Sequence, residues 1–251
     1  MNSHTPALEE LRLWNHAFAQ ADTYDTLRWC LAVFGDSLAL GTGFGVSGMV
    51  LLDMLARITR EVDIFFLDTG LLFPETYEFR RRVEAHYGVR IRGVSASLSL
   101  EEQARQMGER LWERNPDLCC AIRKVASLHV ALEGKRAWMT AIRRDQAPTR
   151  RATPLFSFDE RLQVVKIAPL VRWTEQDCWQ YVRQHRVPYN PLHDRGYPTF
   201  GCWPCTRPVQ PGEDPRAGRW SGTAKTECGL HVVDGKLVRL AAAARPEINA
   251  T

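Results

Sequence analysis

Five cysteines sit where their spacing could do chemistry. Cys119 and Cys120 are adjacent, and Cys202-Trp203-Pro204-Cys205 is a C-x-x-C, so four thiols form two pairs. C-x-x-C is a common zinc half-site. The adjacent pair counts against zinc, because Zn–S bonds near 2.3 Å put sulfurs about 3.8 Å apart on one atom. Neighbouring helical residues diverge by roughly 100° and do not face each other. A four-iron, four-sulfide cube relaxes that demand, since each cysteine takes a different iron. Spacing alone favours the cube over zinc only modestly, and plain core packing is the poorest account of such a pattern. The fifth thiol, Cys228, lies in Lys225-Thr226-Glu227-Cys228-Gly229-Leu230-His231, at the end of a polar stretch. A thiol beside glycine in a flexible segment can reach a site and leave it. That suits a nucleophile that attacks one partner and is released by another, although an ordinary exposed thiol fits the stretch equally well. Cys30 and Cys178 lie in apolar helical patterns and read as core residues.

A second set of residues suits anions. Residues 41–48 read GTGFGVSG between a strand-like and a helical segment. Such a turn is an anion cradle, with backbone N–H groups pointing at a phosphate and Gly43, Gly45 and Gly48 allowing close approach. It is neither G-x-x-x-x-G-K-[ST] nor G-x-G-x-x-G, and taken alone it is as well explained by a tight structural turn. Lys124 falls one helical turn after Cys120 and projects on the same side. Arg143, Arg144, Arg150 and Arg151 follow a later strand, and Arg216 and Arg219 precede Cys228. Scattered arginines usually mark a solvated face. These flank the cysteines and the glycine turn, and a guanidinium matches phosphate and sulfate oxygens in bidentate fashion.

Something must hold these groups together, and the chain has a regular first half to do it. Helical spacing covers residues 8–20 and 24–34, residues 37–42 read as a strand, and 49–58 as an apolar helix. Val62 to Leu67 is a near-continuous apolar run, as in a strand buried on both faces. Residues 74–87 form a helix with proline in its first turn, and 89–94 another strand. The order predicts an α/β fold, a parallel twisted sheet with helices on both faces. The glycine turn would then lie at the carboxyl end of the first strand, where such sheets bind ligands. Further on, 119–132 is helical, 137–142 and 164–167 are strands, and 174–185 is a helix capped by Thr174 with Asp177 in the capping box. Residues 207–227 are polar, rich in proline and glycine, and aperiodic. The expected division is a nucleotide- and cluster-binding domain over 1–206 and a flexible tail over 207–251.

Composition sets outer limits. The chain has 251 residues, 45% hydrophobic and 25% charged, with a net charge of +4. That is ordinary for one sizeable core and too mildly basic to argue for nucleic acid. No apolar run approaches the roughly 20 residues of a membrane span, and the N-terminus carries no export signal. A cytoplasmic location follows as the expectation. There, seven cysteines are ligands, nucleophiles or core residues rather than disulfides.

The stretches CCAIRK, AIRRDQAPTR, VPYNPLHDRGYPTFGCWPCTRPVQPGEDPRAGRW, ECGLH and LDTGLLFPETY resemble the assimilatory adenylyl-sulfate reductases, over about residues 40–231. The resemblance implies an adenine-nucleotide α-hydrolase-like fold and one 4Fe–4S cluster on Cys119, Cys120, Cys202 and Cys205. It implies Cys228 as nucleophile. Lys124, Arg150, Arg216 and Arg219 would hold the phosphosulfate, Gly43, Gly45 and Ser47 would meet the nucleotide phosphate, and His231 would complete the substrate site. It implies adenylyl sulfate as substrate and thioredoxin, or a glutaredoxin-like dithiol, as donor, and leaves a homo-oligomer open. The turn departs from the S-G-G-x-D-S of related nucleotide enzymes, reading Phe44-Gly45-Val46-Ser47-Gly48-Met49. Three rivals stand beside this reading. One is reduction of the 3′-phosphorylated substrate, alone or as well. Another is an adenylating ATP pyrophosphatase, which would want the intact turn. The third is a zinc-bearing module without catalysis.

Overall fold

The structure, a computed structural model, describes residues 8–230. Helices α1 (Leu8–Ala17) and α2 (Thr23–Phe34) lead into β1 (Leu38–Gly41), α3 (Val46–Ala56), β2 (Asp63–Asp68), α4 (Pro74–Tyr87) and β3 (Ile91–Ser95). Next come α5 (Leu100–Met107), α6 (Leu111–Arg114), α7 (Pro116–Cys120), α8 (Ala126–Ala131) and β4 (Ala137–Thr140). The antiparallel edge strand β5 (Phe156–Asp159), then β6 (Val164–Ile167) and α9 (Glu175–His185), complete the body. The six strands form one sheet in the order β3-β2-β1-β4-β6-β5, with every pairing parallel except β5 with β6.

Alternation along the central strands divides the core in two. Leu38 and Leu40 of β1 and Ile64 and Phe66 of β2 belong to the large cluster with α3, α4 and α9. Ala39 and Phe65 point the other way, into a smaller cluster with Leu128, Ala131 and Trp138. A period of two over strands covered on both faces produces this division. The chain leaves β1 toward β2 on one side and β4 lies on the other, so the order reverses at β1 and opens a crevice at the strands' carboxyl ends.

Two boundaries differ from expectation in ways that matter for the site. Helix α3 begins at Val46, one turn before the apolar run that signals it in the sequence, so its first turn is made of the turn residues themselves. The helix expected over 119–132 is α7, a π-turn at Ala121–Val125, and α8. Two consecutive buried cations account for the wider turn. Arg123 donates to the Thr69 carbonyl and to Gln103 Oε1 at 3.1 Å, while Lys124 faces the cysteines. A π-turn lets neighbours point to separate partners, and such turns gather at functional sites. The capped helix is observed as α9, with the Thr174–Asp177 capping box formed.

Candidate active site

The glycine turn is built around an aromatic anchor. Phe44 adopts φ 60°, a left-handed conformation rare for a bulky residue. It is held there by burial, with its ring 5.5 Å from Phe66 and 6.3 Å from Phe79. Gly45 is the N-cap of α3 and provides no side-chain cap. The first turn of α3 thus lacks a side-chain cap and lines the cavity, where its N–H groups can take an anion. A Cβ built on Gly43 or Gly45 meets nothing within 4 Å, so these glycines leave open space beside the backbone. Ser47 accepts from Arg143 Nη1 at 2.9 Å and from Gln146 Nε2 at 3.2 Å. With both lone pairs engaged, its hydroxyl hydrogen is left to donate.

This turn forms one wall of a cavity of about 620 Å³. Gly43, Gly45, Ser47, Lys124, Arg150, Arg216, Arg219 and Cys228 all line it, so residues far apart in sequence meet at one crevice. Its apolar part is Phe65, Leu67, Leu128 and Trp138, a surface suited to a planar base. Gly41 permits that surface, since a Cβ there would sit 2.6 Å from Trp138 Nε1. His231 lies outside the described residues.

The paired cysteines collect at one end. The C-x-x-C is fastened to the turn after β2: Trp203 N–H donates to the Leu71 carbonyl at 2.8 Å, and Thr69 Oγ1 lies 3.3 Å from Cys202 Sγ. Cys119, Cys120 and Cys202 are buried. The Cys119 thiol is pushed up to about 12, first by burial and then by Cys120, Cys202 and Cys205, which places all four thiols in one electrostatic neighbourhood. Lys124 is buried in the same place. Burial opposes its charge, but Cys202, Cys120 and Cys228 around it hold its ammonium above the ordinary lysine value. Among the described residues no three His, Cys, Asp or Glu side chains are placed to hold a single metal ion. Four neighbouring thiols are instead the donor set of a multi-metal core, each sulfur able to take a different metal atom. Beside it, the buried Trp220 Nε1 and Arg219 Nε have no hydrogen-bond partner among the described residues. Cys30 and Cys178 are buried core thiols, each pushed up to about 12 chiefly by burial.

The segment that brings Cys228 here is docked on the body. Thr206 pairs with Arg219, Lys225 forms an ion pair with Asp117, and Arg161 Nη1 donates to the Gly229 carbonyl at 3.3 Å. The Trp220 ring has Arg219, Lys225 and Lys124 at 4.6, 5.5 and 6.0 Å from its centre, so one indole gathers three cations. Glu227 pairs with Arg150 at 2.8 Å. Sequence patterns did not single out Trp220 or Glu227 for these roles, nor Arg143 for its bond to Ser47.

A family model described as "Phosphoadenosine phosphosulfate reductase domain" matches residues 37–208. The chain belongs to that family. Family membership agrees with the cation-lined crevice and with the cysteines near it. The adenosine 5'-phosphosulfate reductase of Halalkalibacterium halodurans is 46% identical over 218 residues, covering 86% of this chain and 94% of that one. The protein of that name from Salinibacter ruber is 50% identical over 206 residues, covering 82% of each. Among solved structures, the phosphoadenylyl-sulfate reductase from Candida auris, a phosphate complex, superposes with TM-score 0.71 at 33% identity, covering 80% of this family member and 98% of that chain. Candida glabrata FMN adenylyltransferase shares the fold, with TM-score 0.54 at 13% identity over 77% and 71% of the two chains. Among the described residues no helix is long and apolar enough to cross a membrane.

Proposed function

We propose that the chain reduces adenylyl sulfate to sulfite and AMP, with Cys228 as nucleophile and a thioredoxin-like dithiol as electron donor. The observation that carries this reading is the meeting of Cys228, the phosphate turn and four cationic side chains in one cavity. The nucleotide's base lies on the Trp138–Leu128 surface and its phosphate at the N-terminus of α3. Lys124, Arg150, Arg216 and Arg219 neutralise the sulfonate and allow a thiolate to approach another anion. The Cys228 sulfur attacks the substrate sulfur, the S–O bond to phosphate breaks, and AMP leaves with the electron pair. A Cys228–S–SO₃⁻ intermediate remains. One thiolate of the donor attacks the Cys228 sulfur and expels sulfite, and its second thiolate then frees Cys228, leaving the donor as a disulfide. The two electrons come from the donor's thiols.

Cys119, Cys120, Cys202 and Cys205 would hold a 4Fe–4S cluster. When bound, the group would supply anionic charge beside Lys124. Four thiols in one electrostatic neighbourhood support a shared metal group, and the adjacent Cys119-Cys120 pair favours a multi-iron cube over zinc. Motion of the segment after residue 206 fits this chemistry, because Cys228 must face first a shielded substrate and then a protein. The test is steady-state sulfite release with thioredoxin supplied, comparing adenylyl sulfate with its 3′-phosphorylated form. Turnover of the unphosphorylated nucleotide supports the reading. Turnover of the 3′-phosphorylated one alone would reassign the substrate.

A further inference from the structure

We infer that Glu227 is the positioning residue that holds Cys228 at the cavity, clasping Arg150 from the side away from the substrate. The inference rests on the role proposed for Cys228. Glu227 Oε1 accepts from Arg150 Nε at 2.9 Å, and Oε2 from Arg150 Nη2 at 2.8 Å, a bidentate, side-on pair. Thr149 Oγ1 adds a bond at 3.2 Å, and Arg216 Nη2 lies 3.6 Å from the same carboxylate. Arg216 also donates to the Thr226 carbonyl at 2.8 Å. Two residues assigned to the substrate anion thus also grip the residues preceding the nucleophile.

The clasp does not fill the anion's place. Arg150, Arg216 and Cys228 line the cavity, whereas Glu227 is absent from its wall. Side-on pairing spends Nε and one hydrogen of Nη2, and Arg150 Nη1 donates to Gln146 Oε1 at 2.6 Å. One hydrogen on each terminal nitrogen remains for a ligand. The network continues inward, because Gln146 Nε2 donates to Ser47 Oγ in the first turn of α3. Glu227, Arg150, Gln146 and Ser47 therefore form one chain of charge-assisted and neutral hydrogen bonds from the nucleophile's neighbour to the phosphate turn. The side chains of Arg150 and Glu227 are 11% and 13% exposed, so solvent screens the pair little. A carboxylate here has an opposite effect on each function. It fixes the position of Cys228, and it partly neutralises the cations that attract substrate.

That opposition gives a test a merely structural role would not pass. Purified full-length protein carrying Glu227→Gln is compared with wild type in three measurements. In single turnover with saturating adenylyl sulfate and no reductant, the rate of SO₃ addition to Cys228 should fall roughly tenfold or more, as for a displaced reacting group. The dissociation constant for AMP should stay equal or tighten. Amide hydrogen exchange over residues 221–230 of the ligand-free protein should accelerate. Glu227→Asp, which keeps the charge, should fall between wild type and Gln in both rate and exchange. An unchanged rate with unchanged exchange overturns the clasp. So does AMP binding weakened as much as the rate, which would make Glu227 part of the substrate's seat. If wild type forms no adduct at all, the proposed chemistry fails instead, and the exchange measurement alone still decides whether Glu227 clasps the segment.

Discussion

Lys124 shows how much one residue carries here. Its ammonium is buried among Cys120, Cys202 and Cys228, where a positive charge is worth more than in water and no solvent must reorganise. Lys124→Gln keeps a polar side chain one bond shorter and removes the charge. Formation of the Cys228 adduct, followed by rapid quench, should slow about 100-fold, and a rate within twofold of wild type would remove Lys124 from the site. Lys166 on β6 is the contrasting case. Burial first, against the favourable Asp159 and with Arg150 and Arg161 opposing, pushes its ammonium down from 10.5 to about 8. The folded state therefore loses this proton before the unfolded chain does, so stability climbs as pH rises from about 8 toward 10.5, and the penalty is complete below 8. Lys166→Met, still able to lie over the Trp138 ring, should raise stability by up to about 3 kcal/mol at pH 7. Melts across pH should show that gain fading by pH 10. At this scale the cysteines, the glycines and most of the basic set were legible in the sequence, because their types and spacings are unusual in themselves. Glu227 and Trp220 were not, nor was the bond from Arg143 to Ser47, since such a role comes only from a partner distant in the chain.

At the level of elements, the start of α3 couples fold to function most directly. Gly45 occupies the N-cap with φ −73°, a conformation any residue adopts, and with open space at its Cβ position. Gly45→Asp should therefore fold well, adding a few tenths of a kcal/mol through the cap. The same carboxylate would occupy the N–H groups meant for the phosphate and repel it, so AMP affinity should drop at least about tenfold. Calorimetry of AMP binding beside a thermal melt separates the two, and retained affinity would place the phosphate elsewhere. The sequence revealed the strand–turn–helix order, yet placed the helix start at Met49, because apolar periodicity cannot register a first turn of valine, serine and glycine. It also passed over β5, whose four residues FSFD at a sheet edge are too short to show a period. The π-turn was equally invisible: its cause is the separate partners of Arg123 and Lys124, which lie on other elements.

For the molecule as a whole, the reversal of strand order at β1 opens the crevice, and the segment after Cys205 lines it with Arg216, Arg219 and the Cys228 thiol. Cys119 and Cys120 lie at the end of α7, and Cys202 and Cys205 at the root of that segment. Cys202→Ser should lower iron and sulfide together in anaerobically purified protein, and loosen the segment to proteolysis; full iron content in the variant would contradict the assignment. The central claim is that Cys228 takes the sulfonate. Wild-type protein mixed with adenylyl sulfate without reductant should gain one SO₃ group on Cys228 by mass spectrometry, with an equal amount of AMP released. Cys228→Ser should bind nucleotide and form no adduct. An adduct on Cys30 or Cys178, or sulfite production by the serine variant at the wild-type rate, would contradict the account.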